Sequence, residues 1–117
     1  MTGARRVVIT GCGVQSPVGL GVPAFWTALL AGSAAPRVIA RFPAGDLAPN
    51  VAAEVPWSDA DPDRAGALAD RAADEALADA GLAGGTLPRE RSGVALGTTL
   101  GGMTLFEGLY ATTSRKS

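Results

Sequence analysis

The sequence predicts an α/β fold, and three observations predict it. Two short apolar runs, Arg5 to Thr10 and Gly93 to Thr99, are continuous, as in strands buried on both faces. Each is followed by a glycine-rich turn and then by apolar residues at helical spacing. The order along the chain is strand, helix, excursion, helix, strand, helix, which suits parallel strands joined by helical crossovers. Two such strands do not make a sheet that helices can cover on both sides, so the pattern fits part of a larger layered domain.

The first run, with β-branched Val7, Val8 and Ile9 at its centre, leads into a loop from Gly11 to Gly21. "PAFWTALLAG" then reads as a short helix. Pro23 suits its first turn, where a missing amide donor costs nothing. Phe25, Trp26, Leu29 and Leu30 make one apolar stripe, and Gly32 can end the helix in a left-handed conformation. From Ala34 to Trp57, Pro36, Pro43, Pro49 and Pro56 break any helix. "RVIARF" and "VAAEV" are short extended pieces of an excursion over the core.

The clearest helix lies within "SDADPDRAGALADRAADEALADAGL". Asp61 is expected as its N-cap and Pro62 as its first residue. Ala65, Leu68, Ala69, Ala72, Ala76 and Leu77 line one face, and the alanines imply close packing against a neighbour. Asp63, Asp70, Asp74 and Asp79 read as a solvated face, with Arg71 in reach of Glu75 one turn on. Gly81 is the stop. After the second strand, the turn at Leu100, Gly101 and Gly102 opens a third helix, with Met103, Phe106 and Tyr110 on one face. Arg115 and Lys116 read as a solvated basic end, and there is no internal repeat.

Composition narrows the function. With 117 residues, 47% hydrophobic and 18% charged, the chain is one globular unit, residues 1–117. A net charge of -1 provides no field for a polyanion, so no nucleic-acid partner is expected. There is no apolar run long enough to cross a bilayer and no signal peptide, so a cytoplasmic protein without a membrane partner is the expectation. The single cysteine, Cys12, excludes an internal disulfide. Without histidine, no Ser-His or Cys-His pair can be built and no ordinary zinc site is expected.

The glycine loop is a poor phosphate cradle. The dinucleotide fingerprint needs Gly-x-Gly-x-x-Gly opening a helix, and an acid about 20 residues on. Gly11 and Gly13 fit, but Ser16 stands at the third glycine, Pro17 follows, and the first acid is Asp46. The short-chain reductase pattern fails at Gln15 and Pro17. No nucleotide or other cofactor is expected, and the glycines read as tight turns and close packing.

"RRVVITGCGVQSPVGLGVPAFWTALLAG" resembles the N-terminus of the β-ketoacyl-acyl-carrier-protein synthases, the condensing enzymes of fatty acid and polyketide synthesis. The shared elements are Arg5-Arg6, the strand Val7 to Ile9, Thr10-Gly11 and Gly13, Ser16-Pro17 and Gly19, then Trp26, Leu29-Leu30 and Gly32. "DRAGALADRAADEALADAGL" and "SGVALGTTLGGM" resemble the family's next helix and strand, and "RFPAGDLAPNVAAEVP" its excursion. The style is nearest the elongating synthases and the ketosynthases of aromatic polyketide systems. The resemblance implies part of a thiolase-like fold, a layered α-β-α-β-α domain that this chain leaves incomplete. It implies decarboxylative Claisen condensation on carrier-bound acyl groups, with an acyl carrier protein and a homo- or heterodimeric ketosynthase partner. The family's catalytic cysteine and histidines come later than this chain reaches, so no catalytic residue is assigned here and the chain alone is expected to be inactive. Cys12 occupies the variable position of Thr-Gly-x-Gly and is expected to be a small buried hydrophobe. The resemblance places Leu100, Gly101 and Gly102 beside the acyl channel as substrate-binding residues, and Arg115 and Lys116 near the carrier or dimer surface. The alternative, from a different class, is a non-catalytic module that pairs with a ketosynthase subunit.

Overall fold

Among the described residues three α-helices organise the chain: α1, Val22–Leu30; α2, Arg64–Asp79; and α3, Met103–Ser114. The computed structural model describes residues 6–46, 48–57, 61–85 and 87–114. Arg5, Ser58 to Ala60, Arg115 and Lys116 lie outside the described residues.

The helix ends follow the local chemistry. α1 carries proline in its first turn, as expected. It stops in a paired arrangement in which Gly32 N–H donates to the Leu29 carbonyl and Ser33 N–H to the Ala28 carbonyl, with Gly32 at φ 62°. α2 repeats the device, with Gly81 N–H to Ala78, Leu82 N–H to Leu77 and Gly81 at φ 72°. In both, a glycine takes the left-handed turn that frees the amides to satisfy orphan carbonyls. The start of α2 differs from the expectation. Asp63, not Asp61, is the N-cap, its Oδ1 accepting from Gly66 N–H at 3.1 Å. Asp61 Oδ1 accepts from Asp63 N–H at 2.8 Å, which holds Asp61 and Pro62 in a turn ahead of the helix.

Among the described residues two small antiparallel sheets accompany the helices. β1, Gln15–Ser16, pairs with β2, Gly19–Leu20, across Pro17 and Val18. The hairpin was encoded in "SPVG": serine opens the turn, proline presets its second residue and glycine closes it. Ser16 Oγ donates to the Gly19 carbonyl at 2.9 Å. β3, Arg37–Val38, pairs with β4, Val51–Ala52, so the two extended pieces of the excursion meet each other. Ile39 N–H donates to Asn50 O, and Glu54 accepts from the amides of Ala40 and Arg41 at 3.0 and 3.2 Å.

The α/β class holds, but the expected parallel pairing does not. Among the described residues, 6–10 and 93–99 join no ladder, and both ladders are antiparallel. Hairpins need only short-range turns, whereas a parallel pair needs a long crossover and neighbours on either side. Val7 is 93% and Val94 96% exposed, and no described residue is fully buried. The radius of gyration is 18.9 Å, against about 13 Å for a compact domain of this length. The stripe of α1 is likewise exposed at Trp26, Leu29 and Leu30. The packing that positions the glycine loop joins it to α2.

Candidate functional site

Gly11 and Gly13 lie flat against α2. A Cβ added at Gly11 would fall on the Ala76 carbonyl oxygen, and one at Gly13 on the Ala72 carbonyl oxygen. The alanines of α2 and the glycines of the loop are two halves of one close approach, which any side chain at either glycine would separate. Ala72, Ala76 and Ala80 recur every four residues, so they form one row facing the loop.

Glu75 and Asp79 stand in the neighbouring row and hold the loop by its amides. Glu75 Oε2 accepts from Val14 N–H at 2.9 Å and its Oε1 from Val22 N–H at 2.6 Å. Asp79 Oδ2 accepts from Cys12 N–H at 3.0 Å. Val22 is the first residue of α1, whose N-cap Gly21 has no side chain to offer. One half-buried carboxylate therefore serves both the loop and the positive end of a helix. This corrects the reading of Glu75 as a partner for Arg71, whereas Asp79 stays exposed, as a solvated face implies, while it takes the Cys12 amide. Arg71 lies instead over the Trp57 ring, 4.1 Å from its centroid. The missed signal was positional: Glu75 is one step behind the alanine at 76, on the packed side.

The same geometry answers what the glycine loop does. The amides of Cys12, Val14 and Val22 point at carboxylates of the chain itself. An incoming phosphate would meet two negative groups where a cradle offers free donors. Cys12 is exposed, contrary to the expectation of burial. Its neighbours Gly11 and Gly13 face α2, so in an extended segment its side chain takes the opposite side, which no described residue covers.

The turn at Leu100, Gly101 and Gly102 sits beside the start of α2. Gly101 N–H donates to Thr98 Oγ1 at 3.1 Å, and the Gly102 carbonyl accepts from the Leu105 and Phe106 amides at the head of α3. Gly101 and Gly102 line a cleft of about 360 Å³ together with Gly66, Ala69, Leu96 and Thr98. Leu100 is not among its lining residues and is 68% exposed. A second cleft, of about 730 Å³, is bounded by Gln15, Leu20, Trp57, Arg71 and Asp74, a grouping the sequence reading did not bring together. Among the described residues no group of three or more histidine, cysteine or carboxylate side chains could hold a metal. No helix of the described residues is long and apolar enough to cross a membrane.

Residues 4–64, just over half of the chain, match the family model described as β-ketoacyl synthase, N-terminal domain. The chain belongs to the β-ketoacyl synthase family. This β-ketoacyl synthase segment is 41% identical over 120 residues to the tetracenomycin polyketide synthase ketoacyl synthase alpha subunit of Streptomyces glaucescens, an alignment covering 94% of this chain and 28% of that protein. It is 40% identical over 122 residues to a putative polyketide beta-ketoacyl synthase 1 of Streptomyces cyaneus, covering 96% of this chain and 29% of that protein. A shorter match, 58% over 38 residues, is to 3-oxoacyl-[acyl-carrier-protein] synthase 2 of Coxiella burnetii, covering 32% of this chain and 9% of that protein. The segment thus spans under a third of the length of these curated relatives. No solved structure matches it.

Proposed function

We propose that this chain supplies the N-terminal part of a 3-oxoacyl-[acyl-carrier-protein] synthase that carries out decarboxylative Claisen condensation in polyketide or fatty acid synthesis. The observation that carries the reading is the match to polyketide ketosynthases at 40–41% identity across 94–96% of the chain. In the complete protein the segment belongs to a thiolase-like fold in the cytoplasm, with an acyl carrier protein and a second ketosynthase subunit as partners. The nucleophile and the histidines lie outside this segment. Its contribution is the loop–α2 unit as a rigid base and the turn at Leu100, Gly101 and Gly102 as part of the wall along the acyl chain. A turn made of two glycines suits that position, because it lets a chain of methylenes pass close to backbone.

The test is a chimera. The matching segment of the Streptomyces glaucescens alpha subunit is replaced by residues 1–117, and the product is assayed for carrier-dependent condensation beside the parent enzyme. The expected result is a folded protein that retains condensation. A chimera that folds and assembles like the parent yet condenses nothing overturns the reading.

A further inference from the structure

The cleft of about 730 Å³ beside the middle of α2 is lined for a small polar molecule. Its volume lies within the range of small-molecule pockets, about 300–1,000 Å³. Three pieces of the chain meet there. The β1–β2 hairpin brings Gln15 and Leu20, the end of the excursion brings Trp57, and α2 brings Arg71, Asp74 and Glu75. Each wall is tied down by the chain's own contacts. Gln15 pairs with Leu20 across the hairpin. Trp57 N–H donates to the Val55 carbonyl at 2.8 Å, and the Trp57 carbonyl accepts from Arg64 Nη1 at 3.2 Å. The Arg71 guanidinium lies on the indole, 4.1 Å from its centroid. A cleft held in this way binds without first ordering its walls.

Gln15 carries the signal. Its Oε1 is buried and accepts no hydrogen bond, a state in which few buried polar atoms are left. A half turn about the last side-chain torsion exchanges the two ends of the amide, one an acceptor and the other a donor. A partner that both donates and accepts therefore satisfies Gln15 in either orientation, and a hydroxyl group does both. The rest of the lining narrows the choice. Arg71 offers donors alone and Asp74 acceptors alone, and neither makes an ion pair or a hydrogen bond among the described residues. Both oxygens of Glu75 already serve the Val14 and Val22 amides. An anionic ligand would meet Asp74 and Glu75, and a cationic one would meet Arg71. A wholly apolar ligand would strip water from these groups and return no hydrogen bond. A neutral ligand with several hydroxyls matches the mixture. Its hydroxyls accept from Arg71, donate to Asp74 and meet Gln15, and its C–H groups pack on Leu20 and Trp57.

We propose that this cleft is a binding site for a neutral polyhydroxylated molecule of the sugar class. It lies on a different row of α2 from the cleft of Gly101 and Gly102, which uses Gly66 and Ala69.

The experiment titrates this chain with D-glucose, D-glucosamine and D-glucuronate at about pH 6, where the amine is charged. One ring is thereby offered neutral, cationic and anionic. The chain carries Trp26→Phe, so that Trp57 is its only indole, and Trp57 fluorescence is the readout. The expected result is a saturable change with glucose, half-complete at about 1–10 mM, the scale for a ligand of about a dozen non-hydrogen atoms. Both charged sugars bind at least fivefold more weakly. Gln15→Leu and Arg71→Ala each weaken glucose binding about tenfold, while retained amide protection at Val14 and Val22 shows that the loop–α2 unit still forms. Three outcomes overturn the proposal: a glucose response still unsaturated at ten times that range, a charged sugar that binds as well as glucose, or unchanged affinity in both variants. The readout is binding, so it stands or falls separately from condensation by the chimera above.

Discussion

Glu75→Ala removes the acceptor for two loop amides at once. Val14 N–H and Val22 N–H donate to its two oxygens at 2.9 and 2.6 Å. Hydrogen bonds to a charged group contribute about 1.5–3 kcal/mol each. Both are part-buried, and water can reach the freed amides, so the lower value applies and the pair is worth about 3 kcal/mol. With about 1.4 kcal/mol per tenfold, that is a roughly hundredfold loss of protection. Amide hydrogen exchange followed residue by residue is the assay, because it reads the local opening directly. Val14 and Val22 are expected to lose roughly two orders of magnitude of protection in Glu75→Ala, and about half that on a logarithmic scale in Glu75→Gln, which keeps one acceptor oxygen. Amides in the middle of α2 serve as the control. Exchange at Val14 and Val22 within about threefold of the parent, with α2 still protected, would refute the carboxylate clamp.

Gly13→Ala places a Cβ on the Ala72 carbonyl and is expected to destabilise the loop–α2 contact by about 1–3 kcal/mol, whereas Gly97→Ala meets nothing within 4 Å and is expected to stay within about 0.5 kcal/mol; equal denaturation midpoints for the two would count against the packing argument. Asp63→Ala removes the N-cap of α2 and is expected to cost about 1 kcal/mol of helix stability, with Asn restoring most of it, both read by circular dichroism. Cys12, exposed and flanked by glycines, is expected to react with iodoacetamide at the rate of a free thiol, and a rate well above that would point to an activated nucleophile. In the chimera, Leu100→Trp is expected to shift the chain length of the product, and an unchanged product profile removes Leu100 from the channel wall.

Local chemistry was the legible part. Pro23, Gly32 and Gly81 bound their helices because proline geometry and left-handed glycine act over a single turn. The alanine row of α2 and the glycines of the loop announced a close approach, and they meet each other. The N-cap was misplaced by two residues because "DPD" offers two aspartates, and only the turn at Asp61 selects Asp63. The pairing of Glu75 and Asp79 with loop amides was illegible for a different reason. An acid on a helix is solvated unless its row faces a neighbour, and the identity of that neighbour, a loop more than 50 residues earlier, is not a local property. The two apolar runs carry a strand pattern, yet neither is a strand here, because a strand exists only through its ladder and no described residue provides one. For the turn at Leu100, Gly101 and Gly102, the backbone geometry followed from the two glycines, whereas a role toward an acyl chain rests on resemblance.

The carboxylate clamp also sets an order of events during synthesis. Its three bonds join residues 53, 61 and 67 positions apart. Closing a loop of that length carries an entropic cost of about 3.6 kcal/mol plus a constant. No partner nearer in the chain substitutes for Glu75 at Val14 and Val22. The carboxylate contacts of the glycine loop must wait until Asp79 has been made, roughly 3–13 s after the loop at ordinary elongation rates. During that interval the amides of Cys12, Val14 and Val22 stay in water and Val7 to Ile9 hangs free beyond them. The loop is therefore made well before the contacts that fix its place, and those contacts depend on the arrival of α2.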